Sequence, residues 1–228
     1  MKLILLPGKN PTPEQKSMHT LAFNFWYAQW AEFFKQFHGT FKVSADDFFR
    51  QDYVAFLVDG QMPLAVIAHS VFDISELYMR KQSYLSYNFT TSFYEKIASQ
   101  KINKIITFEA LLVNPALRKV ANVPVSHLLY GQSIQLVKAL ADVDAMIAPA
   151  RNDIGVARLA INGGAQQIED YQLHGFPVSL LVGRKEDLHL NFLSEFEQKK
   201  AIKMFNTEAT HRLINANRSN TRDKRKAS

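Results

Sequence analysis

Apolar positions in the first third of the chain recur at two different periods, and the change of period separates its elements. Phe23, Trp26, Tyr27, Trp30, Phe33, Phe34 and Phe37 fall three and four residues apart, so their rings share one wide face of a helix. Thr12 as N-cap, Pro13 at the first helical position and Gln15 closing a capping box mark its start, and Gly39 is placed to end it. Ahead of it, "KLILL" reads as a short first strand. Two β-rich runs in "DYVAFLVDGQMPLAVIAHSVFDI" surround Asp59-Gly60, a hairpin turn pair. The second run is apolar on both faces, as an interior strand is.

Further along, Leu85, Phe89, Phe93 and Ile97 predict one helix over 83–100, and Ile105 to Val113 reads as one strand. Ser126 is placed as N-cap of a helix through Ala141 that carries Leu129, Leu136, Val137 and Leu140 on one side. "AMIAPA" predicts a short buried strand ended by Pro149. Asn152 or Asp153 then caps another helix, which Gly163 and Gly164 stop. "IEDYQLHGFPVSLLVGR" supplies the last strand material, broken at Gly175-Phe176-Pro177. A final helix over 188–205 would carry Leu193, Phe196, Ile202 and Phe205. This order predicts an α+β sheet domain.

Composition narrows the picture. Hydrophobic residues make up 47% of the 228 and aromatics 12%, enough for one large domain with an aromatic-rich core. There is no cysteine, which excludes disulfides, thiolate metal sites and a cysteine nucleophile. The net charge of +6 is concentrated in 211–228, where six Lys and Arg face only Asp223; the body is near neutral. Basic character therefore belongs to a tail, solvated or weakly anchoring to an anionic surface, and nothing else argues for nucleic acid as a partner. The first apolar run is cut off by Pro7, too short for a secretory segment, and no later run reaches the length of a membrane span. A cytoplasmic protein is the expectation.

Two segments carry a resemblance. "FEALLVNPALR" at 108–118 and "NDIGVARLAINGGAQQIEDYQLHGF" at 152–176, in this order, resemble the GNAT superfamily of N-acyltransferases. The resemblance covers about residues 1–184 and implies a mixed, largely antiparallel sheet flanked by helices, with an extra helix inserted between strands 3 and 4. Residues 185–210 would then be a helical extension and 211–228 a basic tail. It further implies transfer of an acyl group from acyl-CoA or acetyl-CoA, or from an acyl carrier protein, to a small-molecule or peptide amine, with no metal.

In such proteins the fourth strand, here with Leu111 and Val113, bonds the pantetheine arm, and the loop after it cradles the pyrophosphate at a helix N-terminus. This chain departs from the loop pattern: counted from Arg118 the two glycine positions hold Ala121 and Val123, counted back from Leu128-Leu129 they hold Val123 and Val125, and Pro124 removes one amide donor. What remains for an anion are Arg118, Lys119, the amides near Val125, Ser126 and His127, and the Ser126 hydroxyl; Asn152 matches the late asparagine.

Glu109 shares a face with Thr107, Leu111 and Val113 in an apolar run, the setting that makes a carboxylate a general base. The family's strand often carries such a glutamate, and its general acid is a tyrosine on the late helix, where this chain has Ala160. Tyr171, His127 and Ser133 are the substitutes in view, and His69 lies on the apolar third strand. Without the tyrosine and the glycines, a ligand-sensing or partner-binding protein without turnover is the alternative reading. Trp26, Trp30, Phe33, Tyr84, Tyr87, Phe89 and Phe93 either fill the core or line a tunnel for a long acyl chain.

Overall fold

The computed structural model describes residues 1–35, 42–117 and 125–216. In chain order the elements are β1 (Lys2–Leu6), α1 (Lys16–Lys35), α2 (Ala45–Phe49), β2 (Tyr53–Asp59), β3 (Met62–His69) and β4 (Val71–Asp73). Then come α3 (Ser83–Asn88), α4 (Thr91–Ser99), β5 (Lys104–Thr107), β6 (Glu109–Val113) and α5 (Val125–Ala139). The last are β7 (Ala145–Arg151), α6 (Val156–Asn162), β8 (Gln166–Leu173), β9 (Phe176–Arg184) and α7 (Glu195–Phe205). They form two compact units, one from the described residues of 1–70, 110–132 and 200–216, the other from 71–109 and 133–199.

The first unit holds a four-stranded sheet of order β1-β2-β3-β6. The hairpin predicted at Asp59-Gly60 is present: β2 and β3 pair antiparallel with Phe56 opposite Val66, and Gly60 takes φ 60 in the turn. Beneath it, Trp26 of α1 packs with Leu6, Phe48, Val54, Phe56 and Val66. The capping box forms on the 3₁₀ turn Pro13–Gln15 that leads into α1, with Gln15 Oε1 accepting the Thr12 amide at 3.0 Å. The aromatic face is only partly covered, since Tyr27 is exposed; Phe37 and Gly39 lie outside the described residues. α2 is an element that periodicity missed, because five residues are too few to show a period. Its N-cap Ser44 accepts the Asp46 amide at 3.2 Å, and Phe48 is wholly buried against Trp26.

The second unit holds a five-stranded sheet of order β4-β5-β7-β9-β8. β5 and β7 run parallel and the other neighbours antiparallel, so this is a mixed, largely antiparallel sheet. Its core joins Phe89, Phe93 and Ile97 to Ile105, Ile147, Val178 and Leu180. With Trp26 in one core and Phe89 and Phe93 in another, the ring set divides between two cores.

Several expected elements are corrected. The helix over 83–100 is two helices, because the Thr90 hydroxyl caps a new start by accepting the Phe93 amide at 3.0 Å. The apolar run after Met62 stops at His69; Val71–Asp73 is a separate strand of the second unit. The strand ended at Pro149 continues to Arg151. Its β5 neighbour reaches only Ile147, so the missing Pro149 amide has no partner to lose on that side. The last helix begins at Glu195, not Leu188: Leu188, Leu190 and Leu193 are buried anchors of irregular chain, and Phe196 is 71% exposed. The late hairpin turns at His174-Gly175, with φ 52 and 78, so Phe176 and Pro177 already belong to β9.

Candidate active site

The middle of the expected fourth strand is where the chain leaves one sheet. Thr107 is the last residue of β5 and pairs with Ile147 of β7, and Phe108 gives its amide to the same Ile147 carbonyl at 2.9 Å. Pairing with β7 stops there. Glu109 opens β6, and Ala110 follows with φ 53, a left-handed conformation that costs a residue with a Cβ about 1 kcal/mol or more. The single predicted strand is thus two strands in two sheets.

Glu109 is 4% exposed and Thr107 0%. Two residues apart on extended chain, their side chains fall on one side, and Thr107 Oγ1 donates to Glu109 Oε1. Sequence reasoning placed Thr107 on the face of Glu109 without giving it a task; the same-face spacing was the signal.

Of the residues expected to hold a donor, those on β6 and α5 are described. Leu111 and Val113 are half-buried on β6. α5 begins at Val125, so Ser126 is its second residue and not its cap; buried Val125 seats the first turn with Leu128 and Leu129. Ser126 and His127 follow, half-buried. The first turn carries no acidic side chain, and the helix runs fifteen residues, so its leading amides suit an anion. Arg118, Lys119 and Val123 lie outside the described residues.

Asn152 and Tyr171 meet in the second unit. The helix after β7 is capped by Gly155, at φ 77, rather than by Asn152 or Asp153, which sit in the turn before it. Asp153 instead pairs with Arg151, whose guanidinium holds its carboxyl below the usual range. The Asn152 backbone amide donates to the Pro177 carbonyl at 3.1 Å, and Asn152 Oδ1 accepts from Ser179 Oγ at 2.9 Å. Tyr171, on the edge strand β8, faces Val178, and both line an open cleft of about 440 Å³ with Asn152, Asp170, Gln172 and Pro177. The cleft was not legible in the sequence, because the register of β8 on β9 creates it.

Ala160 is buried on α6, so the late helix offers no phenol at that position. Ser133 and His69 are fully buried as well. Among the described residues, no three His, Cys, Asp or Glu side chains are grouped to hold a metal ion, and no helix is long and apolar enough to cross a membrane.

Comparison with solved structures decides the fold. The polyamine N-acetyltransferase of Drosophila melanogaster, which catalyses formation of N-acetylagmatine, superimposes with a TM-score of 0.53 at 14% identity, covering 79% of this chain and 97% of that one. This chain has the GNAT fold. An acyl-CoA N-acyltransferase from Pseudomonas aeruginosa matches at TM-score 0.50 and 10% identity over 80% of this chain and 99% of its own. An agmatine N-acetyltransferase in its apo form matches at 0.50 and 13% over 81% and 100%. No protein-family model matches the chain, and no curated protein does. The single helix expected as an insertion is present as two, α3 and α4, and they lie between β4 and β5.

Proposed function

We propose that this protein is an N-acyltransferase that moves an acyl group from acyl-CoA to an amine, with Glu109 as general base. The buried carboxylate of Glu109, bonded by Thr107 at the break between β5 and β6, carries the reading. In the reaction the amine nitrogen loses a proton to Glu109 and forms the C–N bond to the thioester carbonyl carbon. The C–S bond breaks, and the sulfur leaves as a thiolate that takes up a proton. With alanine at 160, Tyr171 is the phenol assigned to supply that proton.

A coenzyme A donor brings an anionic diphosphate and a thioester. The leading amides of α5 at Val125, Ser126 and His127 would hold the diphosphate, supported by an acid-free first turn, with Arg118, Lys119 and Val123 in the preceding loop. Leu111 and Val113 would bond the pantetheine arm, and Asn152 its amides.

A ligand that binds only the folded state raises its melting temperature. Titration with coenzyme A, acetyl-CoA and a long-chain acyl-CoA therefore tests the donor. A shift with any of them supports the reading, and no shift refutes a CoA donor and leaves the acyl carrier protein. Release of free thiol with a primary amine then tests turnover: Glu109→Gln should lower it by about a hundredfold or more. Binding without turnover favours the ligand-sensing alternative, which buried Ala160 supports.

A further inference from the structure

We propose that Thr107 is a positioning residue that holds the Glu109 carboxylate in its reactive orientation, an inference that rests on Glu109 being the base. The backbone of the pair is held from both ends. On one side Thr107 is paired to Ile147 and Phe108 is bonded to the same residue; on the other, Ala110 turns the chain with φ 53. Between these points Glu109 has little backbone freedom, and the remaining freedom is rotation of its side chain. The Thr107 hydroxyl restricts it by donating to Oε1.

The chemistry of the donor matters as much as its place. A buried hydroxyl needs an acceptor and a buried carboxylate needs donors, and the Thr107 to Glu109 bond serves both needs. A lysine or arginine at 107 would hold the carboxylate more strongly but make it a poor proton acceptor. A neutral hydroxyl orients the carboxylate without placing a positive charge at position 107. Threonine also suits the end of a strand, where its β-branch narrows χ1 and aims the hydroxyl.

The test compares wild type, Thr107→Val, Thr107→Ser and Glu109→Gln, and the double variant Thr107→Val/Glu109→Gln, after thermal melts show each folded. In protein labelled with ¹³C at glutamate Cδ, the signal lost in Glu109→Gln belongs to Glu109. Thr107→Val should move that signal, and Thr107→Ser should leave it near the wild-type position. An unmoved signal in Thr107→Val overturns the bond. In thiol release from acetyl-CoA with spermidine and agmatine as amines, Thr107→Val should lower kcat about tenfold with KM unchanged, and Thr107→Ser should restore it to within about twofold. In the Glu109→Gln background the valine should cost nothing further.

An additional loss in that background, or a kcat untouched by Thr107→Val, overturns the positioning role while leaving Glu109 as base. Full activity in Glu109→Gln refutes the base itself, and no thiol release in wild type refutes transfer from acetyl-CoA and this role with it. A Thr107→Val protein that does not fold shifts the decision to Thr107→Ser. There a hydroxyl freed of its β-methyl should broaden the Glu109 signal and lower kcat by up to about twofold, and a drop to the Glu109→Gln level overturns the proposal.

Discussion

Gly164 stands against the backbone of Asp187: a Cβ at position 164 would come within 2.2 Å of the Asp187 carbonyl oxygen. Its φ of +99 is a second reason for glycine, since side-chain-bearing residues rarely adopt it. Gly164→Ala should therefore lower unfolding stability by roughly 2 kcal/mol or more, seen as a lower denaturant midpoint at unchanged slope. Gly60→Ala makes a control, having a positive φ but nothing within 4 Å of the added atom, and should cost less.

Lys101 is a residue whose replacement should help. It takes φ 59 just past α4, its amide bonds the Ala98 carbonyl at 2.9 Å, and the next amide, of Ile102, bonds Ile97 at 3.3 Å. That is the bond pattern of a Schellman end, with Ile97 and Ile102 buried beside it. Lys101→Gly should raise stability by about 0.5–1 kcal/mol, read as a higher melting temperature.

Thr90 separates α3 from α4 and does two jobs there. Its hydroxyl accepts the Phe93 amide at 3.0 Å and donates to Glu169 of β8 at 3.0 Å. Thr90→Ala should cost about 1–2 kcal/mol, and Thr90→Ser should recover most of it, since serine caps as well as threonine. Urea unfolding of the two variants in parallel checks the ranking.

His174 gives the second unit a dependence on pH. Burial holds its imidazole below the ordinary value, so the folded state disfavours the charged ring. Stability from the neutral ring is present above a pH of roughly 6.5 and is lost as pH falls through the lower folded value. The Tyr87 hydroxyl lies 3.3 Å from His174 Nδ1, so the same protonation changes this contact. His174→Asn should flatten the fall of melting temperature between about pH 7 and pH 5. Asn-Gly also suits the turn, whose two residues have φ 52 and 78, so the variant should hold or gain stability at pH 7.

Periodicity, caps and turn pairs were enough to read β1, α1, the Asp59-Gly60 hairpin and the glycine stop of α6, because each rests on contacts within a few residues. Glu109 stood out for the same kind of reason, as an acid in an apolar run. Absence of cysteine and the concentration of net positive charge in the last residues were likewise plain in the chain itself.

Tertiary structure alone decided where strands change sheets. An apolar run reads the same whether one sheet takes it whole or two sheets share it, and His69 to Val71 and Thr107 to Glu109 are such divisions. Partners beyond local reach also settled that Pro149 continues a strand, that Gly155 caps α6 and that Leu188 to Leu193 anchor irregular chain. The Thr107 to Glu109 bond belongs to both levels. The two-residue spacing puts the side chains on one face, and burial at the sheet break turns that spacing into a hydrogen bond that neither residue can exchange for water.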